Sequence, residues 1–328
     1  MDFTERIIKS RDDNIDELRT GYPDGLHFVV GDTHGQVSTL KALMQKIKFD
    51  SSKDHIYFVG DYNEGGDVRV LMEYMALYYS ADFNVPGFHM IRGNHERELC
   101  PVYTLENLPD IIVLRKKQMN YYIAHAGMMS SAFDIINEDM AKHPESDIFA
   151  YKFDDICVCQ DAPLRQITWS KNGLYSQTSH YRSWPSEQSL TENRACIIHG
   201  HSPYCFFKHE DHFSYGDRNL YWENQHVYFS EDLQSFNIDA NIKGRFANGE
   251  AFRSLSCICL ECIEEIAKEN MGHLEIDSVK NASNFVFSSE FVYGLPPFLG
   301  ADISKILNAK PTAKRITLDD NNKPIVVN

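Results

Sequence analysis

Two hydrophobic periods alternate over the first 130 residues of this chain, and few folds accommodate both. Leu26-His-Phe-Val-Val-Gly-Asp32 is a short apolar run ending in glycine, which reads as a buried strand, and Val37, Leu40, Leu43, Met44 and Ile47 then return at helical spacing. His55-Ile-Tyr-Phe-Val-Gly-Asp61 repeats the strand pattern and residues 68 to 79 supply a second helix. Gly87 to Gly93 and Tyr121 to His125 read as further strands. Strands that alternate with helices pair in parallel through helical crossovers, and ligands of such sheets collect beyond the carboxyl ends of the strands. Asp32, Asp61, Asn94 and His125 all stand at or just past such an end.

Later the pattern changes. Residues 134 to 142 read as helix and 175 to 188 as a polar, Ser-rich loop. Strands return at 195–199, 226–230, 235–239 and 252–262 with few helices between them, which predicts mainly antiparallel pairing. Beyond Ile266 only a short helix near 301–307 is expected, followed by a polar tail containing Pro311 and Pro324. With 328 residues, this predicts a large domain over 1–265 and a C-terminal extension over 266–328.

A net charge of −15 argues against general nucleic-acid or anionic-membrane binding, although it leaves room for a small phosphorylated substrate drawn to a local cationic centre. No apolar run is long enough to span a bilayer. The N-terminus lacks the basic start and apolar core of a secretory signal, so the eight cysteines are expected as free thiols in the cytoplasm or another reducing compartment. Cys257, Cys259 and Cys262 raise a zinc reading. They sit in what reads as a buried strand, and no second ligand pair follows, so packing thiols are expected.

Five short motifs occur in order: Gly31-Asp-Thr-His-Gly35, Gly60-Asp-Tyr-Asn-Glu-Gly-Gly66, Gly93-Asn-His-Glu96, His125-Ala-Gly127 and His199-Gly-His201-Ser-Pro. Any one alone is weak, because a lone buried histidine usually just hydrogen-bonds a carbonyl. Together, on strand-end loops, they offer His, Asp and Asn ligands suited to Mn, Fe or Zn. Such a set can hold two divalent ions about 3.5–4 Å apart.

With these motifs, the sequence resembles the calcineurin-like metallophosphoesterase superfamily, in its phosphoprotein-phosphatase branch, from about residue 26 to about 262. The resemblance implies an α/β (α+β) fold, a β-sandwich of mixed sheets flanked by helices, with metals at its edge. It also implies that Asp32 and His34 hold a first divalent ion, that Asp61 bridges, and that Asn94, His125 and His201 complete a second site. His201 is preferred to His199 because Gly200-His201-Ser202-Pro203 matches the family's Gly-His-Thr-Pro, which leaves His199 to orient a ligand. Manganese is the expected ion in vitro, with iron and zinc as alternatives. In this resemblance a metal-bridging hydroxide attacks phosphorus, and His95 protonates the leaving group.

The second motif departs from the family's Gly-Asp-x-x-Asp-Arg-Gly. Glu64 stands where an Asp usually partners the catalytic histidine and, though one methylene longer, is expected to pair with His95 as a catalytic residue, while Gly65 replaces an arginine that grips phosphate. Arg182, Arg97 and Asn94 are the candidates to hold phosphate in its stead, with Lys171 a further possibility; for Arg182 the competing reading is a solvated loop arginine. The expected function is phosphate monoester hydrolysis, on a phosphoprotein or a phosphorylated small molecule. The alternatives are a diadenosine tetraphosphate or nucleotide hydrolase, and a binding module that has lost turnover. Some members of this family are delivered by bacterial pathogens into host cells, a fate equally compatible with this sequence.

Overall fold

The computed structural model describes residues 15–96, 105–128, 130–154, 185, 187–201, 219–222, 227–230, 235–240, 242, 253–269, 285–292, 294, 297–321 and 323–327, to which the following statements apply. A helical stretch, α1 (residues 15–21), leads into β1 (His27–Val30). Then α2 (Val37–Lys46), β2 (His55–Phe58), α3 (Val68–Tyr78) and β3 (Gly87–Met90) follow in the expected alternation. The three strands pair in parallel, with Phe28 beside Ile56 and Ile56 beside Phe88. Asp67 caps α3 by accepting from the Val70 amide at 3.1 Å, which starts that helix directly behind the Asp61–Gly66 loop.

The chain continues through β4 (Ile111–Arg115), β5 (Asn120–Ala124), α4 (Ser130–Lys142), β6 (Ile148–Phe153), α5 (Glu187–Glu192) and β7 (Ala195–His199). It ends with β8 (Asn219–Trp222), β9 (Val227–Ser230), β10 (Ser235–Asn237), β11 (Ser254–Cys259), α6 (Leu260–Glu269), β12 (Val286–Glu290), α7 (Ser304–Leu307), β13 (Lys314–Leu318) and β14 (Pro324–Val327). One sheet runs β12-β11-β1-β2-β3 and the other β14-β13-β6-β4-β5-β7-β10-β9-β8.

Alternation along the strands of the larger sheet shows how the layers stack. Ile112, Leu114, Tyr121, Ile123, Cys196 and Ile198 belong to the core shared with the smaller sheet. Their neighbours Ile111, Val113, Tyr122, Ala124, Ala195 and Ile197 join Phe133, Ile136 and Met140 of α4 in a second core. On the far side of the smaller sheet, Phe88 packs against Phe49, just beyond α2, and against Tyr74 and Tyr78 of α3. The result is helix, sheet, sheet, helix: a mixed sandwich with helices on both outer faces.

Three expectations need adjustment. The apolar run through residues 252–262 is not one strand; β11 ends at Cys259 and α6 begins at Leu260. No glycine or proline marks that junction, and Leu260, Ile263, Ile266 and Ala267 supply a buried helical stripe that takes over at once. The later strands are mostly antiparallel, yet β5–β7, β7–β10 and β6–β13 pair in parallel. Finally, the segment read as a polar tail forms the β13–β14 hairpin, which joins the larger sheet through β6, while β12 extends the smaller one.

Candidate metal centre

The carboxyl ends of β1, β2, β3, β5 and β7 meet at one edge of the sandwich, and each delivers one motif. Backbone bonds tie the loops together: the His34 amide donates to the Asp61 carbonyl at 2.8 Å, and the Gly200 amide to the His125 carbonyl at 2.8 Å. His34, Asp61, Glu64 and His201 all take positive φ, at 42°, 53°, 66° and 70°, a backbone region that non-glycine residues rarely occupy. Strain gathered on so few residues is typical of functional loops, where it aims side chains that regular backbone could not. Close approach explains two glycines: a Cβ at Gly93 would collide with the Asp61 carboxylate and one at Gly200 with that of Asp32.

Asp61 lies at the centre, 2% exposed. Its Oδ2 is 3.8 Å from His34 Nε2 and 3.6 Å from His95 Nε2, while its Oδ1 is 3.2 Å from His125 Nε2. His34 Nε2 also lies 4.0 Å from Asp32 Oδ2, which accepts from the His201 amide at 2.9 Å. His201 Nδ1 is 2.8 Å from Asn94 Oδ1 and 3.1 Å from His125 Nε2. Two groups have the geometry to hold a cation, His34–Asp61–His95 and Asp61–His125–His201, and they share Asp61. All six expected ligands thus converge, with His95 as near to Asp61 as His34 is.

The donor chemistry of the cluster is compatible with a cation. His125 Nδ1 lies 2.8 Å from the Val59 carbonyl, which can only accept, so the neutral ring keeps its proton there. Nε2 then aims a lone pair at Asn94 Oδ1, 2.9 Å away, and at Asp61 Oδ1, neither of which can donate. Asp61 Oδ1 also accepts from the His95 amide at 3.1 Å, and His201 Nδ1 can donate to Asn94 Oδ1. These contacts are met by a protonated His125 ring or, with that proton displaced, by a cation. Asp32 Oδ1 and His201 Nε2 are buried and make no hydrogen bond within the protein, which leaves two more atoms available for coordination. His34 Nδ1 rests 2.9 Å from the Asn63 carbonyl, which directs Nε2 inward.

The local charges are strongly coupled. Burial alone would raise the Asp61 carboxyl, but His125, His34 and His95 overcome it and hold Asp61 far below the carboxylate range. Burial would lower His125, and Asp61 reverses that, raising the ring to about 10. Burial, then the charge of Asp239, pushes Asp32 well up, and burial brings His199 down to about 4. His199 sits below the cluster, with Nδ1 3.2 Å from the Gly200 carbonyl.

Glu64 Oε2 lies 2.9 Å from His95 Nδ1 even though the glutamate is 46% exposed, so the longer side chain still reaches the histidine. Gly65, at φ 129°, is exposed. Arg97, Lys171 and Arg182 lie outside the described residues. Arg92 grips no ligand: it is buried, with Nε and an amino group 3.1 and 2.7 Å from the two oxygens of Asp110. The cysteines contribute to none of the cation-holding groups among the described residues. Burial pushes the Cys257 and Cys259 thiols far above their ordinary range, as packing residues require.

Sequence reasoning missed the part played by Glu96. Its carboxylate, 2% exposed, accepts from the amides of Asp61, Tyr62, Asn63 and Gly93. The available signal was a charged residue directly after two candidate site residues, within a stretch otherwise read as buried.

A family model described as calcineurin-like phosphoesterase matches residues 28–240. A symmetrical bis(5'-nucleosyl)-tetraphosphatase of Nitrosospira multiformis is 25% identical over 198 residues, which cover 53% of this chain and 67% of that protein. The protein of the same name in Photorhabdus laumondii is 34% identical over 77 residues, but these span only 26% of its length. Among solved structures, a protein serine/threonine phosphatase from Saccharomyces cerevisiae aligns with a TM-score of 0.44 at 14% identity, covering 89% of this chain and 90% of that one.

Proposed function

We propose that this chain, which belongs to the calcineurin-like phosphoesterase family, is a metal-dependent hydrolase of phosphate monoesters carried by other proteins. The observation behind metal dependence is that two groups with the geometry to hold a cation share Asp61, while Asp32 Oδ1 and His201 Nε2 lie buried beside them without a hydrogen bond within the protein. Asp32 and His34 would hold one divalent cation, Asn94, His125 and His201 a second, and Asp61 both. This oxygen and nitrogen donor set suits Mn²⁺, and also Fe or Zn. When bound, such cations polarise phosphoryl oxygens and make water acidic enough to attack at neutral pH.

The residues around that centre have their own tasks. His95 stands beside Asp61 and is backed by Glu64, a carboxylate that favours the charged imidazole and fixes its orientation. An imidazolium there can deliver a proton to a departing alkoxide, which is a poor leaving group without one. That pairing favours a serine- or threonine-type monoester over a phosphoanhydride, whose leaving group barely needs the proton. Arg182 and Arg97 are assigned to the phosphate, in place of the arginine missing at Gly65.

A second reading is cleavage of a dinucleoside tetraphosphate, which the names of the relatives favour. Phosphate release from phosphoserine, phosphothreonine and phosphotyrosine peptides and from diadenosine tetraphosphate, across a panel of divalent metals, separates the two. Turnover of the dinucleotide alone would replace the monoester reading. Full turnover in excess chelator, after verified metal removal, would end both.

A further inference from the structure

Resting on the two-cation reading above, we infer that Glu96 is a positioning residue that sets cation affinity by holding the Asp61 and Asn63 backbone against the loop after β3. Its Oε2 accepts from the Asp61 amide at 2.8 Å and the Gly93 amide at 2.9 Å. Its Oε1 accepts from the Tyr62 amide at 2.8 Å, the Asn63 amide at 3.1 Å and Asn63 Nδ2 at 3.2 Å. One side chain therefore ties the loop after β2 to the loop after β3, at the point where Asp61 takes its left-handed φ of 53°.

Two cation sites depend on that clasp. Asp61, which both candidate groups share, has its backbone set by Glu96 directly. Asn63, fixed by Glu96 through amide and side chain, presents the carbonyl that faces His34 Nδ1 at 2.9 Å and turns Nε2 inward. The loop also grips Asp61 from the other side, since the His95 amide donates to Asp61 Oδ1 at 3.1 Å. A carboxyl group suits this set of donors because both of its oxygens offer acceptor sites and it carries no N–H. Glutamine would keep the shape but turn an NH₂ group onto two of those amides, and the loop would have to move to relieve the clash. The partners of the Glu96 carboxylate given above are backbone amides and Asn63 Nδ2, so its influence runs through ligand position.

The test is Mn²⁺ titration calorimetry on the full chain, first stripped of metal, for wild type, Glu96→Gln and Glu96→Asp. Thermal unfolding in chelator runs alongside. Glu96→Gln should weaken Mn²⁺ binding about tenfold to a hundredfold, as outer-sphere partners of metal ligands typically do, in protein that is still folded at the titration temperature. A role confined to stability would lower the unfolding temperature and leave Mn²⁺ affinity unchanged, and that result overturns the inference. Should Glu96→Gln fail to fold, Glu96→Asp decides. Aspartate keeps the acceptors but is one methylene too short to span both loops, so weakened Mn²⁺ binding by its folded form supports the inference and wild-type binding overturns it. Wild-type protein that binds no Mn²⁺, Zn²⁺ or Fe²⁺ would instead remove the two-cation reading, and this inference with it.

Discussion

Histidines gather at both ends of the parallel strands, and the two gatherings are built in opposite ways. At the carboxyl end, ring nitrogens of His34, His95, His125 and His201 turn towards carboxylate and amide oxygens at distances of 2.8 to 3.8 Å. At the amino end, His27 and His55 stand side by side on β1 and β2, with ring centroids 4.8 Å apart and planes only 6° from parallel. His55 stacks on His89 at 5.2 Å, and His89 on Tyr57 at 4.9 Å. Where ring nitrogens of these histidines meet closely, at His55 Nδ1 and His89 Nε2 3.0 Å apart, one donor pairs with one acceptor and no cation is needed. A cation is already present there: Lys116 Nζ lies 3.0 Å from His27 Nδ1 and 3.4 Å from Glu261 Oε1. What separates a candidate metal site from a packed histidine ladder is backbone. Straight strands keep register and stack the rings, whereas left-handed loop residues break register and make the rings converge.

Substituting Asp61 breaks the carboxyl end hardest. Asp61→Asn should remove most bound metal and most turnover, a larger loss than the roughly 10–100-fold expected for an outer-sphere partner such as Glu96. Metal content by elemental analysis, together with monoester hydrolysis, checks this, and unchanged values for both would refute the bridging role. Glu64→Gln should leave metal content alone and slow an alkyl monoester by up to about 10²-fold, the low end of general-acid contributions. An activated aryl ester, whose leaving group hardly needs a proton, should be slowed much less, and equal slowing of the two substrates would detach Glu64 from proton delivery.

The amino end should respond to pH. Burial first, then neighbouring positive charge, brings His55 down to about 4 and His89 to about 3. Folded protein therefore keeps both rings neutral, while the unfolded chain takes up protons below about 6.5. The sign follows: this stability is intact above about pH 6.5 and declines as pH falls from there towards 4 and 3. For His89 the loss by pH 5 is about 2 kcal/mol at most. Thermal unfolding of chelated protein between pH 5 and 7 should show this decline, and His89→Gln should flatten it; an unaltered slope would place the sensitivity elsewhere. The smallest effect is expected from the thiols. Replacing Cys257, Cys259 and Cys262 together by Ala should lower stability through lost packing and leave the rate per folded molecule unchanged. A slower rate with fold and metal retained would mean those thiols serve the site.

Legibility in the sequence followed how each element is buried. The β1–α2–β2–α3–β3 run was legible because amphipathic helices separate short apolar strands, and the two periods differ. β4, Ile111-Ile-Val-Leu-Arg115, was not, because both its faces are covered and no alternation survives. β13 and β14 escaped notice because they lie at a sheet edge with few buried positions and carry little hydrophobic signal. The six candidate ligands could be named because their motifs sit at strand ends, where a parallel sheet gathers side chains whatever the rest of the chain does.

Sequence by itself therefore determined the parallel half of the sandwich, the family resemblance and the identity of the convergent residues, all of which depend on short-range pattern. Only the tertiary structure decided that Glu96 clasps two loops, and that the histidines of β1, β2 and β3 stack while those beyond the strand ends converge. These are matters of direction between segments distant along the chain, set by loop φ angles and by which face each strand turns inward, and no local period encodes them.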